Sequence, residues 1–359
     1  MRLLDIRAGR SAAALLRARG LRADDIDLLV GASGGPKWLS LIGIDRWLLG
    51  TFLPARTRSA PLPLVGSSIG SWRMACFASA QPLEAQAQLL QAYLAQTYPD
   101  HPSAAQVSAV CLSVLRTLLT PANQQAILHN PQRQLHVLVA EAHGRIASNQ
   151  RKRIALGLAG TALRNLASPT GLASTMRRVV LHTGAASRCS NFWQPVPTRD
   201  ALLDGTNLET ALLASGSIPL LLEPVRPLLP ASGGPSPWAW YDGGIIDYHP
   251  LPMPAANAQG LILYPHFYGH LVPGWFDKLL RWRHSPAAAL DRTLLIAPAA
   301  EWVASLPGGR IPDRRDFSRL DPAARQRAWQ RVVAESARLG DALHDLVERG
   351  RLADQLQTF

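Results

Sequence analysis

Short apolar runs that end at glycine alternate along the chain with longer stretches of helical spacing. Residues 26–30 are apolar apart from Asp27 and stop at Gly31, which predicts a buried strand. A second run, Pro63-Leu64-Val65, ends in Gly66-Ser67-Ser68-Ile69-Gly70 and passes directly into a helical pattern over 69–80. Further strands are predicted at 135–140, 178–182, 220–223, 238–241, 260–264 and 292–296. Helical spacing appears at 37–44, 83–96, 104–119 and 208–214, and over 11–19, where Ser11 is the expected cap and Gly20 the stop. Asp321-Pro322 opens a last helix whose stripe is Trp329, Val332, Val333, Ser336, Leu339, Leu343 and Leu346. The region 321–357 should therefore pack on the body. Strands alternating with helices imply an α/β fold with a mostly parallel central sheet flanked by helices. No internal repeat interrupts this pattern, and the Gly- and Pro-rich stretch at 231–237 reads as a loop, so 1–359 is expected to be one domain.

Three glycine-bearing turns follow predicted strands, at 31–36, 66–70 and 242–244. The middle one has the G-x-S-x-G spacing of a nucleophile elbow, in which Ser68 sits on a sharp strand-to-helix turn. Its neighbours Gly66 and Gly70 must be small for the backbone to fold past the serine. In a parallel sheet the C-terminal strand ends share one edge. That edge would gather a loop rich in backbone N–H groups, a serine and a carboxylate, which are the parts acyl transfer needs.

With these elements in order, the chain resembles the patatin-like phospholipase family over about 27–251. The loop Ser33-Gly34-Gly35-Pro36-Lys37, the elbow, the segment Ala214-Ser215-Gly216-Ser217-Ile218-Pro219 and the box Asp242-Gly243-Gly244-Ile245-Ile246-Asp247-Tyr248-His249-Pro250 carry the resemblance. It departs at Ser33, where the family usually has glycine, and at Lys37, where it usually has arginine. The resemblance implies a patatin-like variant of the α/β-hydrolase type with a C-terminal helical extension. It also implies a serine acyl hydrolase acting on lipid esters through a Ser–Asp dyad. Ser68 would be the nucleophile and Asp242 the base. The N–H groups of Gly34, Gly35 and Ile69 would hold the oxyanion, with Lys37, Gly66, Gly70, Gly243 and Gly244 in support. No cofactor or metal is implied. The same parts would serve an acyltransferase, and the same fold a catalytically idle lipid-binding scaffold.

Composition narrows the partners. A formal charge of +12, with all but three of the 37 basic residues arginine, favours anionic partners. The arginines are spread along the chain without a nucleic-acid-binding motif, so no nucleic acid is expected. The run 149–153 reads as a solvated basic loop. Trp275, Phe276, Leu279 and Leu280, with Lys278, Arg281 and Arg283 alongside, read as one helical face that docks on the body or beds into an anionic membrane. Gly31 to Trp38 nearly spells a P-loop, but Pro36 lacks the N–H and Trp38 the hydroxyl that phosphate and magnesium need. His249 is read as structural, and the spacing of His266 and His270 lacks an acidic partner for a metal. Three widely spaced cysteines suit a reducing compartment. The first residues carry arginine and alanine but no signal-peptide core, so the expected location is cytoplasmic, with peripheral membrane contact allowed. Nothing in the sequence bears on oligomeric state.

Overall fold

The computed structural model describes residues 1–359 except 185–188, 190, 228–236, 254–257 and 285. Among the described residues ten strands form one sheet. They are β1 (Leu4–Ala8), β2 (Ile26–Gly31), β3 (Leu62–Ser67), β4 (Arg133–Ala142), β5 (Met176–His182), β6 (Thr198–Leu202), β7 (Ala239–Asp242), β8 (Leu261–Pro265), β9 (Thr293–Pro298) and β10 (Leu356–Thr358). The order is β10-β1-β9-β8-β2-β3-β4-β5-β6, with β7 added on β4. Pairing is mostly parallel; β1 with β9, β4 with β5 and β4 with β7 run antiparallel. The strands β2, β3, β8 and β9 are buried almost throughout, as expected where helices cover both faces.

The helices around the sheet are α1 (Arg10–Arg19), α2 (Ile42–Trp47), α3 (Ile69–Ala78), α4 (Pro82–Leu94), α5 (Ala104–Leu118), α6 (Pro121–His129), α7 (Arg151–Ala167), α8 (Leu208–Ser215), α9 (Ala300–Ala304), α10 (Asp316–Arg319) and α11 (Pro322–Glu348). α3 is buried along its whole length. The ion pair of Arg73 with Asp45 of α2, at 2.9 and 2.7 Å, holds it in place. Asp321 caps α11 through the Ala324 N–H at 2.8 Å. That helix lies against α2, where the Gly43 amide donates to Ser336 Oγ at 3.1 Å. Among the described residues no single helix is long and apolar enough to cross a membrane; α5 and α6 pass only as a pair bent by 75°.

Several local expectations are corrected. Ser11 is not the cap of α1: the N-cap is Gly9, and the Ser11 amide donates to Asp291 Oδ1 at 3.2 Å. The stretch 37–44 begins as a tight 3₁₀ helix at Gly35–Leu41 before α2 takes over. The basic run at 149–153 is not a loop, because Arg151, Lys152 and Arg153 form the first turn of α7. Residues 220–223 are a turn, not a strand, and Leu220 adopts φ +67°. The aromatic stretch near 275–283 is two 3₁₀ turns, Trp275–Asp277 and Arg281–Arg283, in place of one helix. Buried Asp277 sets this shape, since its carboxylate accepts from Asn165 at 2.9 Å, Gln194 at 2.6 Å and Arg283 at 3.1 Å. All but the last position of the loop read at 231–237 lies outside the described residues.

Candidate active site

The register of β4 brings Ser68 and Asp242 together. β3 runs along β4 as far as the pair Ser67–Leu138. There it stops, and β7 takes over the same side of β4 from the opposite direction, with Asp242 opposite Val139. Two strand ends thus meet head to head on adjacent positions of a third strand. This differs from the shared edge expected of three parallel strands: the carboxylate arrives antiparallel, and the loop after β2 reaches the same point from the side.

Ser68 has φ +55° and ψ −132°, a backbone conformation that non-glycine residues rarely adopt. Its amide donates to Ser215 Oγ at 3.0 Å, and Ser215 Oγ donates to the Leu138 carbonyl at 2.7 Å. The Ser68 carbonyl accepts from Ser71, from Oγ at 2.6 Å and from N at 2.9 Å. Gly66 and Gly70 permit close approach: a Cβ on either would overlap the Ser71 or the Gly31 backbone. Gly243 is crowded in the same way by the Leu138 carbonyl.

Asp242 accepts from Ser68 Oγ at 2.6 Å through Oδ2 and from the Gly244 amide at 2.7 Å through Oδ1. The two residues stand 174 positions apart in the chain. Burial pushes the Asp242 carboxyl above the usual carboxylate value; the Ser68 and Gly244 hydrogen bonds, and the charges of Arg314 and Lys278, act the other way. Gly35 and Ile69 open their helices, so their N–H groups have no acceptor within the helix. Both line the cavity onto which Ser68 opens. Gly34 lies against the Phe267 ring, leaving no room for a side chain. Ser33 is held by two other contacts: its amide donates to the Tyr248 carbonyl and its hydroxyl to Ser67 Oγ, each at 3.0 Å. Lys37 is half-buried, and burial lowers its pKa.

The cavity holds about 830 Å³ and is walled mainly by apolar side chains, among them Trp72, Val107, Ile218, Leu222 and Phe317. One wall, residues 314–322, comes from the C-terminal part of the chain. His249 is fully buried; its Nδ1 accepts from the Val272 amide at 2.8 Å, and burial keeps the ring neutral. His266 is also buried, packs edge-on to His249 and is pushed down to about 3.

A family model, patatin-like phospholipase, matches residues 7–255 of the chain. The chain belongs to the patatin-like phospholipase family. No curated protein sequence matches it. Among solved structures it is similar to human GIVD cytosolic phospholipase A2, at 12% identity and a TM-score of 0.37, over 96% of this chain and 63% of that one. The chain thus spans less than two thirds of that protein's length.

Two residues outside the expected set brace this patatin-like site. Ser215 was part of a recognised segment, but its grip on the Ser68 amide depends on β4 lying between them. Arg178 is fully buried and clasps Asp247, five positions past Asp242, with Nε at 2.6 Å and Nη2 at 2.8 Å. An arginine leading the apolar run Val179-Val180-Leu181 was the available signal, because a buried guanidinium requires a partner.

Proposed function

We propose that the protein is a serine hydrolase of lipid acyl esters in which Ser68 and Asp242 act as a dyad. The observation that carries this reading is the 2.6 Å hydrogen bond from Ser68 Oγ to buried Asp242, beside the N–H groups of Gly35 and Ile69 and above an apolar cavity. Ser68 Oγ attacks the ester carbonyl as its proton passes to Asp242 Oδ2. The tetrahedral oxyanion is held by the N–H groups of Gly34, Gly35 and Ile69, each such donor being worth about 3 kcal/mol. Collapse breaks the ester C–O bond, and the proton on Asp242 goes to the leaving alkoxide. Water then attacks the acyl-enzyme, gives its proton to Asp242 and releases the acid, with the proton returning to Ser68. A raised Asp242 pKa supports this cycle, since an ordinary carboxylate is a weak base toward a hydroxyl.

Contact with an anionic bilayer is part of the proposal. Leu156, Leu163 and Leu166 of α7 are exposed, as are Trp275, Leu279 and Trp282. The two stretches are tied together by the Asn165–Asp277 hydrogen bond. α7 contains Arg151, Lys152, Arg153 and Arg164 and no acidic residue, which suits an interfacial helix. The protein would work in the cytoplasm, where Cys76, Cys111 and Cys189 stay reduced thiols.

A fluorophosphonate probe tests the chemistry. It should label Ser68 in the folded protein, and a panel of acyl esters should be cleaved by wild type and not by Ser68→Ala. Folded protein that neither takes the probe at Ser68 nor cleaves any ester of the panel would overturn the reading. Co-sedimentation with vesicles should rise with anionic lipid and fall with salt.

A further inference from the structure

Three cations surround the Gly34–Gly35 loop. Lys37 closes the loop, with its Nζ 5.8 Å from the centroid of the Phe267 ring that covers Gly34. Lys278 Nζ lies 3.8 Å from the centroid of the Tyr248 ring, and Tyr248 is the residue whose carbonyl holds the Ser33 amide. Arg314 runs across Gly35: a Cβ there would lie 3.3 Å from Arg314 Cγ. Arg314 also lines the cavity that Ser68 opens onto. Lys278 and Arg314 lie beyond residues 7–255, the span matched by the family model.

These charges act on one another, and nearby carboxylates, Asp242 toward Lys278 and Asp313 toward Lys37, offset them only in part. Arg314 and Lys37 both disfavour the Lys278 ammonium, which burial above all brings down to about 7. Burial likewise disfavours the Lys37 ammonium, with Asp313 acting against that effect and Arg314 adding to it. Among the described residues none of the three forms an ion pair, whereas buried Arg73 and Arg178 are each clasped by an aspartate. Asp313, the acidic group nearest in sequence to Arg314, faces Arg310 at 3.9 Å. The chain has only three lysines among its 37 basic residues, and two of them stand here. Gathering like charges in a partly desolvated site is unfavourable unless an anion joins them.

We propose that Lys278 and Arg314, together with Lys37, form an anion subsite beside the Ser68 hydroxyl. It takes a phosphate or carboxylate borne by the alcohol part of the substrate, while the apolar walls take the acyl chain. The protein thereby selects acyl esters with a negative charge a few bonds from the ester. This rests on Ser68 being the nucleophile. Arg314 offers a planar fork suited to two oxygens of such an anion, and the ammonium groups add compact charge.

Two arms test it. In the first, esters of one fatty acid with glycerol 3-phosphate and with glycerol are compared through kcat/KM in wild type, Lys278→Gln and Arg314→Gln. The ratio of phosphate ester to neutral ester should fall about tenfold in each variant, mainly through KM, as expected for a lost charge-assisted hydrogen bond. Lys278→Arg and Arg314→Lys should restore part of it. In the second arm, calorimetry measures binding of glycerol 3-phosphate and of glycerate, which separates phosphate from carboxylate. Wild type should bind at least one of them, about tenfold more tightly than either glutamine variant. Thermal unfolding and probe labelling at Ser68 establish that each variant is folded. Equal losses on the charged and neutral esters would overturn the subsite, and so would binding that is absent or indifferent to the variants. Binding that depends on Lys278 and Arg314 in a wild type that neither labels nor turns over ester would retain the subsite and reject the hydrolase.

Discussion

Two buried carboxylates five positions apart in the same box have opposite surroundings. Asp247, 2% exposed, is gripped by both edges of the Arg178 guanidinium, and Arg178 reaches on to Thr198 Oγ1 at 2.9 Å. Asp242, 6% exposed, has no arginine clasp and holds a serine hydroxyl and one backbone amide. The first carboxylate has its charge answered within the fold and is fixed. The second is partly answered, and burial therefore raises its proton affinity. One turn of chain thus contains a carboxylate suited to holding structure and another suited to exchanging a proton.

The largest effects should fall on the second carboxylate and its serine. Ser68→Ala and Asp242→Asn should each lower kcat/KM by about 10⁴-fold or more, with near-native circular dichroism and unfolding temperature. Loss of that activity together with cooperative folding would instead place the residues in the scaffold. The opposite response is expected at the first carboxylate. Arg178→Ala should cost about 3–5 kcal/mol by leaving Asp247 buried and alone, while replacing both partners with apolar residues of like volume should cost much less. Denaturant unfolding of the two single variants and the double variant measures this. Equal costs for the singles and the double would mean the pair contributes as packing and not as paired charge.

A smaller effect should come from Ser215, a positioning residue that never meets substrate. Ser215→Ala removes the acceptor of the Ser68 amide, and kcat should fall about tenfold while KM changes little, the loss of one buried hydrogen bond. Ser215→Thr, which keeps a hydroxyl, should recover part of the rate. An increase in KM alone would assign Ser215 to substrate binding.

How much of this was legible depended on the range of the contacts involved. The β2 and β3 turns were visible because an apolar run, glycines and a helix start are adjacent in sequence, so sterics alone link them. The meeting of Ser68 with Asp242 suggested itself through motif order, yet its geometry depends on where β3 ends against β4, a register that no local spacing encodes. α7 escaped notice since it opens on Arg-Lys-Arg and leaves Leu156, Leu163 and Leu166 exposed, the reverse of an inward apolar stripe. Residues 220–223 spelled a strand with three leucines in a row, but Leu221 and Leu222 line the cavity from a turn. The stretch 275–283 had helical spacing, and Asp277 overrode it with partners from α7 and residue 194. In each case a distant partner decided what local propensity had left open.

The smallest effect is also the sharpest test of the contrast between the two aspartates. An asparagine at 242 keeps the hydrogen bonds, because its Oδ1 accepts from the Gly244 amide and its Nδ2 donates to Ser68 Oγ, whose own proton turns away. What it removes is the penalty on a buried charge. The Asp242 pKa is raised in the folded state, so folding favours the protonated acid. Its contribution to stability is complete below the unfolded-state pKa and is lost as pH rises through the folded value. Asp242→Asn should therefore melt about 2 °C higher than wild type at neutral pH. That difference should shrink as pH falls below the ordinary carboxylate value, where wild type carries the proton itself. Asp247→Asn should move the other way at neutral pH, since it strips Arg178 of its counter-charge. Unfolding temperatures measured from acid to neutral pH decide the matter. A constant gap at 242, or one that widens toward acid, would show that burial does not strain this carboxylate and that its distinction from Asp247 is one of partners alone.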